Sequence, residues 1–224
     1  MSIKERVKGL LREIPKDVIL EAAAKTRTAK EIDEVIEVGI KVIGENYVSE
    51  LKKVYPDVKN KAKWHFIGST KTQKHDLLKR KVLEIIDMIE TIDNFDFAFE
   101  LNKKCEDLGK VMLVLIEVNS AKESRKSGVY PENVVELVKK ISKLSNIKVT
   151  GLMTMGPNVE RSEDIRSYFR LTKGLFSDIK SMRIENIDME FLSMGMSDTY
   201  KIAIEEGANI VRIGTAIFGP RRKK

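Results

Sequence analysis

Short runs rich in β-branched and aliphatic residues recur along the chain, separated by longer stretches with apolar positions at helical spacing. This alternation constrains the fold more than any other feature. Eight such runs occur, at residues 18–24, 42–44, 64–67, 88–92, 111–118, 149–155, 189–194 and 210–213. Between them, residues 31–38 place Ile32, Val35 and Ile36 on one face and end at Gly39, a residue suited to a helix C-cap. Residues 131–144 carry Val134, Val135, Leu137, Val138 and Ile141 after Pro131, which fits a first-turn position. Residues 162–179 are amphipathic, and residues 197–207 open with the capping types Ser197 and Asp198 and stop at Gly207. Strands alternating with helices in this way predict an α/β fold: one parallel (β/α)8 barrel, of TIM type, spanning residues 1–224. A doubly wound open sheet would show the same alternation.

Composition narrows the function classes. No apolar run approaches the roughly 18–20 residues of a membrane span. Residues 1–20 mix Lys, Arg, Glu and Asp among apolar residues, unlike a signal peptide, so a cytoplasmic protein is expected. The single cysteine, Cys105, has no intrachain partner, in keeping with a reducing compartment. His65 and His75 show no metal-ligand spacing between themselves or with Cys105, and no metal is expected. The net charge is +7, but basic residues are interleaved with acids, as in Lys30-Glu31 and residues 136–140. That is the pattern of solvated helices rather than of a nucleic-acid surface. The one dense basic cluster, Arg221-Arg222-Lys223-Lys224, is the only candidate for a basic binding module.

In a barrel, function sits at the C-terminal ends of the strands. Lys25 ends the first run after three alanines; it reads either as a snorkelling surface lysine or as an imine-forming amine whose pKa is lowered in a desolvated mouth. The second run leads into Gly44, Asn46 and Tyr47, and the third sends His65 and Ile67 to the face opposite Trp64 and Phe66. His65 fits a satisfied core histidine as well as a catalytic one. Residues 119–128 form a polar loop of active-site length, and Lys71 and Lys74 lie near the mouth as a candidate secondary docking site. After the seventh and eighth runs come Ser197, Gly214 and Thr215, with Arg212 two residues before Gly214 and on the same face. Loops at these two positions commonly hold phosphate, and a buried arginine needs an anion or acceptor beside it.

The segments GENYVSE (44–50), KWHFIGSTKTQK (63–74), KSGV (126–129), GLMTMGP (151–157), FLSMGMSDTY (191–200) and VRIGTAIFGPR (211–221), with Lys25 between Ala24 and Thr26, resemble the pyridoxal phosphate homeostasis family. These are the YggS/PROSC-type relatives of the alanine racemase N-terminal barrel. The resemblance runs in order from Leu20 to Arg221. It implies pyridoxal 5′-phosphate (PLP) as cofactor, joined as a Schiff base to Lys25. It places the phosphate on Ser197, Gly214 and Thr215, Arg212 at the pyridine nitrogen, and Asn46, Tyr47, His65 and Ile67 around the ring. The chain departs from the pattern in having Thr28 where the family often has proline, and in a short segment before Lys25.

Two functions follow from this resemblance. Arginine cannot accept a proton, so the pyridine nitrogen stays unprotonated and the cofactor is a weak electron sink. Racemases of this barrel type overcome that with a second base from another domain, and this sequence stops soon after the eighth strand. The expectation is therefore a non-enzymatic carrier of PLP, monomeric or weakly dimeric, that buffers the cofactor or passes it to PLP-dependent apoenzymes. A slow amino-acid racemase is the alternative. No membrane or specific nucleic-acid partner is expected.

Overall fold

The computed structural model describes residues 1–220. The basic cluster at residues 221–224 lies outside them. In chain order the elements are α1 (Ile3–Glu13), β1 (Ile19–Ala23), α2 (Ala29–Val38), β2 (Val42–Glu45), α3 (Val48–Val54), β3 (Lys63–Phe66), α4 (Thr70–Leu77), α5 (Arg80–Ile85), β4 (Met88–Ile92) and α6 (Phe95–Glu106). There follow β5 (Met112–Glu117), α7 (Val134–Ile141), β6 (Ile147–Met153), α8 (Arg166–Ser181), β7 (Ile187–Ser193), α9 (Tyr200–Glu205), β8 (Ile210–Ile213) and α10 (Thr215–Phe218).

The strands pair in sequence order and close, β8 lying parallel to β1 with Arg212 opposite Glu21. Closure distinguishes the barrel from the open sheet that the alternation also allowed. Apolar side chains divide into two bodies. A continuous layer, including Trp64, Phe66, Leu101, Phe169 and Ile213, joins the outer sheet face to the helices. Met88, Leu115 and Met153, with Leu113 and Phe191, form a separate cluster. Alternation along the strands places Glu21, Ala23 and Lys25 on one face, and His65 and Ile67 likewise. The barrel therefore carries polar groups above an apolar plug.

Several boundaries differ from the sequence reading. Strand β6 starts at Ile147 and β7 at Ile187, two residues earlier than their apolar runs: Ile147 pairs with Met112 of β5 and Ile187 with Val149 of β6, and Lys148 and Asp188 meet across the two strands at 3.2 Å. Pro131 opens a 3-10 turn that precedes α7. Helix α9 begins at Tyr200, with Thr199 rather than Ser197 at the N-cap position and no side-chain capping bond; the Thr199 hydroxyl accepts from the Met196 amide at 3.1 Å. Thr28 caps α2: its hydroxyl accepts from the Glu31 amide, while the Glu31 carboxylate accepts from the Thr28 amide at 2.9 Å. A threonine thus starts the helix without help from proline. Among the described residues, no helix is long and apolar enough to cross a membrane.

Candidate functional site

Lys25 leaves the end of β1 in a turn held by two backbone bonds, Ala24 N–H to Gly44 O at 2.9 Å and Arg27 N–H to Ala24 O at 2.9 Å. The next residue, Thr26, has φ of 66°, a left-handed conformation uncommon for a β-branched side chain, and its amide donates to Glu50 Oε2 at 2.8 Å. Such a backbone costs on the order of 1–3 kcal/mol and persists where the surroundings over-determine it. Thr26→Gly is expected to raise stability by about 1 kcal/mol, a melting-point gain of about 2–4 °C in a chain of this size. A thermal melt that did not rise would mean that glycine's greater freedom in the unfolded chain offsets the strain relieved. The Lys25 ammonium lies over the Tyr47 ring, 4.8 Å from its centroid.

Lys25 opens on a cavity of about 340 Å³ whose wall also includes Asn46, Ile67, Ser197, Arg212, Gly214 and Thr215. Seven of the sequence-predicted residues therefore meet on one space. A second cavity of about 310 Å³ adjoins it, sharing Asn46, Ile67, Met155 and Met196, and is bordered by Glu117, Asn119 and Ser120. Tyr47 is not part of either wall; it stands at the rim, 40% exposed. His65 is not part of the wall either: it is buried on the barrel floor.

On the β7–β8 side, the Ser197 hydroxyl accepts from the Ala216 amide at 3.1 Å, which clips the two loops together. This explains why Ser197 does not cap α9. Gly214 packs close to β1: a Cβ there would lie 3.3 Å from the Ala23 carbonyl oxygen.

Beneath the cavity runs a buried polar chain that sequence reasoning missed. Arg212, 3% exposed, donates to Ser193 Oγ at 2.6 Å and to the Thr154 carbonyl at 2.9 Å. Ser193 Oγ donates in turn to Glu90 Oε2 at 2.6 Å, and the other Glu90 oxygen meets His65 Nδ1 at 2.8 Å. Glu21 Oε2 stands 3.6 Å from the same nitrogen, a charge contact rather than a hydrogen bond. The anion that Arg212 requires is thus Glu90, reached through Ser193. A signal existed: Glu21 and Glu90 are the charged residues within the apolar runs ILEAA and MIETI.

Burial works against charge on all these groups, and their mutual contacts decide the outcome. Burial opposes the charged form of His65, but Glu21 and Glu90 outweigh it and raise its pKa to about 10. Burial likewise opposes ionisation of Glu90, yet His65 and Arg212 hold its pKa well below the ordinary range. Glu21 is pushed up by burial and then by the Glu90 charge. At the rim, burial and nearby Glu50 raise Glu45 to about 8, and burial with Asp93 raises Glu117 to about 7.

Comparison with known proteins places the chain in a family. Residues 6–222 match the family model for the alanine racemase N-terminal domain. A pyridoxal phosphate homeostasis protein of Aquifex aeolicus is 43% identical over 201 residues, covering 89% of this chain and 86% of the relative. The chain belongs to the pyridoxal phosphate homeostasis family. A second family member, from Vibrio alginolyticus, is 39% identical over 214 residues, covering 92% of this chain and 88% of its own. Among solved structures, PipY of Synechococcus elongatus is 26% identical and aligns over 97% of this chain and 100% of its own. Its TM-score is 0.89 without PLP and 0.86 with PLP bound. An alanine racemase of Clostridium difficile, 13% identical, has a TM-score of 0.78 over 100% of this chain and 57% of its own, and shares the fold.

Proposed function

We propose that this chain binds PLP as a Schiff base on Lys25 and serves to buffer the cofactor or deliver it to PLP-dependent apoenzymes, rather than to turn over amino acids. The observation that carries this reading is the meeting of Lys25, Arg212, Ser197, Gly214 and Thr215 on one cavity. The naming of its relatives as homeostasis proteins and the PLP-bound state of PipY support it. The residues fit the group: a primary amine stands on one wall, and two hydroxyls and a glycine stand where a phosphate can approach backbone.

PLP supplies an aldehyde carbon that condenses with an amine and a ring that withdraws electrons. Each residue then has a part. Lys25 provides the amine, and Ser197, while accepting from Ala216, keeps its O–H free to donate to a phosphate oxygen. Arg212 is held by Ser193, Thr154 and, at 4.0 Å, the Glu90 carboxylate, so it would present a fixed cation to the ring nitrogen. A guanidinium donates and does not accept, so it leaves that nitrogen unprotonated and keeps carbanion stabilisation weak. Met155 and Tyr47, exposed by 38% and 40%, leave the rim accessible to an apoenzyme.

Borohydride reduction of the PLP-loaded chain followed by peptide mapping is expected to place the pyridoxyl mass on Lys25. In deuterated water, L-alanine is expected to exchange its α-proton no faster than with free PLP. Exchange accelerated by the protein and dependent on Lys25 would replace the carrier with the slow racemase.

A further inference from the structure

The buried group on the barrel floor has more ligand capacity than the PLP reading uses. We propose that Glu21, His65 and Glu90 form a binding site for a borderline divalent cation, zinc above all, beneath the cofactor cavity.

Geometry and donor chemistry carry the assignment. One nitrogen and two carboxylate oxygens from β1, β3 and β4 lie within 4.8 Å of one another. Zinc bonds of about 2.0–2.1 Å in tetrahedral geometry set ligand atoms about 3.3 Å apart. The contacts of His65 Nδ1 straddle that value, at 2.8 Å to Glu90 and 3.6 Å to Glu21. A mixed nitrogen and oxygen set suits zinc or cobalt better than magnesium or calcium, which favour oxygen alone.

Glu21 supplies the independent observation. Its side chain is wholly buried and faces His65, yet neither carboxylate oxygen has a hydrogen-bond partner. A buried carboxylate without partners is costly. One imidazole N–H cannot serve both acids, whereas one metal ion can bond to all three groups. Room for Glu21 comes from the neighbouring strand, where a Cβ on Gly44 would lie 1.9 Å from Glu21 Oε1.

The surroundings orient the ligands. Ser193 donates to the Glu90 oxygen turned away from His65, and Arg212 donates to Ser193, leaving Oε1 free for the metal. With His65 neutral, the two carboxylates and the Arg212 guanidinium leave an excess of one negative charge. A divalent ion reverses it to one positive, which a hydroxide at the fourth position would neutralise. Metal ligands bind in their deprotonated forms, so binding should release protons. The charged groups in this balance are Glu21 on β1 and Glu90 on β4, which face His65, and Arg212 on β8, which faces Glu90.

The test uses the full chain stripped of metal and PLP, titrated with Zn²⁺ or Co²⁺, so it is independent of the PLP reading. One equivalent is expected to bind, with a raised melting temperature and tetrahedral cobalt absorption. Calorimetric heats are expected to depend on the buffer's ionisation enthalpy. Glu21→Gln removes a ligand without breaking any hydrogen bond of the resting chain, and is expected to weaken binding at least about 100-fold. Glu90→Gln should do the same, and His75→Ala, on an exposed helix face, should leave binding unchanged. Absence of one-equivalent binding tighter than about 10 μM, or equal binding by a folded Glu21→Gln variant, would overturn the proposal. So would loss of binding in His75→Ala, because the metal would then sit at the surface.

Discussion

Lys25→Ala is expected to abolish the visible imine band of the PLP-loaded protein. The lysine lines the cavity, and among the described residues it is the only lysine on that wall. Removing it would leave the proposed non-covalent contacts of Ser197, Gly214, Thr215 and Arg212 in place, so weak uptake of PLP should persist. The expected loss of affinity is at least about 100-fold, or about 3 kcal/mol. Absorbance and equilibrium dialysis of wild type and variant side by side check both parts. A band of equal strength in the variant would mean that another lysine carries the aldehyde. Loss of the band without loss of affinity would mean that phosphate and ring contacts dominate binding.

The second large effect concerns stability. Glu90→Leu has roughly the right volume but removes the acceptor shared by His65 and Ser193 and the charge that faces Arg212. Breaking a buried ion pair from one side costs about 3–5 kcal/mol, because the remaining charge is left without compensation. For a chain of this size that is a melting-point fall of about 6–20 °C. Glu90→Gln, which keeps an acceptor, should fall less. The pH profile should change as well. His65 has a folded pKa of about 10 against an ordinary 6.5, so its contribution is complete below pH 6.5 and is lost as pH climbs through the folded value. Wild-type stability should therefore decline across that alkaline window, and Glu90→Leu should flatten the decline. A variant that melted with wild type and kept the same alkaline slope would show that the chain from Arg212 to His65 does not bear on stability.

Much of the architecture was legible because strands buried in a closed parallel barrel stand out as apolar runs against amphipathic helices. The two starts that were missed, Ile147 and Ile187, precede Lys148 and Asp188, charged residues that look like loop until a cross-strand partner is known. The helix start misplaced at Ser197 has the same origin: its hydroxyl serves an amide 19 positions further along the chain. At the site, the residues facing the cavity could be picked out because each ends a strand. His65 and Tyr47 could not be positioned, since alternation fixes a face but not a depth. The floor was missed for a further reason. Glu90 and Ser193 are 103 positions apart, and only closure of the barrel makes them neighbours.

The clip between Ser197 and Ala216 bears on how quickly the cup can be filled. Because the β7 and β8 loops are already tied, the phosphate of the proposed cofactor would meet a receptor that need not be assembled around it, and little ordering entropy would oppose capture. Exchange would then be governed by making and breaking the bond to lysine and by passage across the exposed rim. On the proposed function, a reservoir so arranged would recover its cargo without refolding between loads.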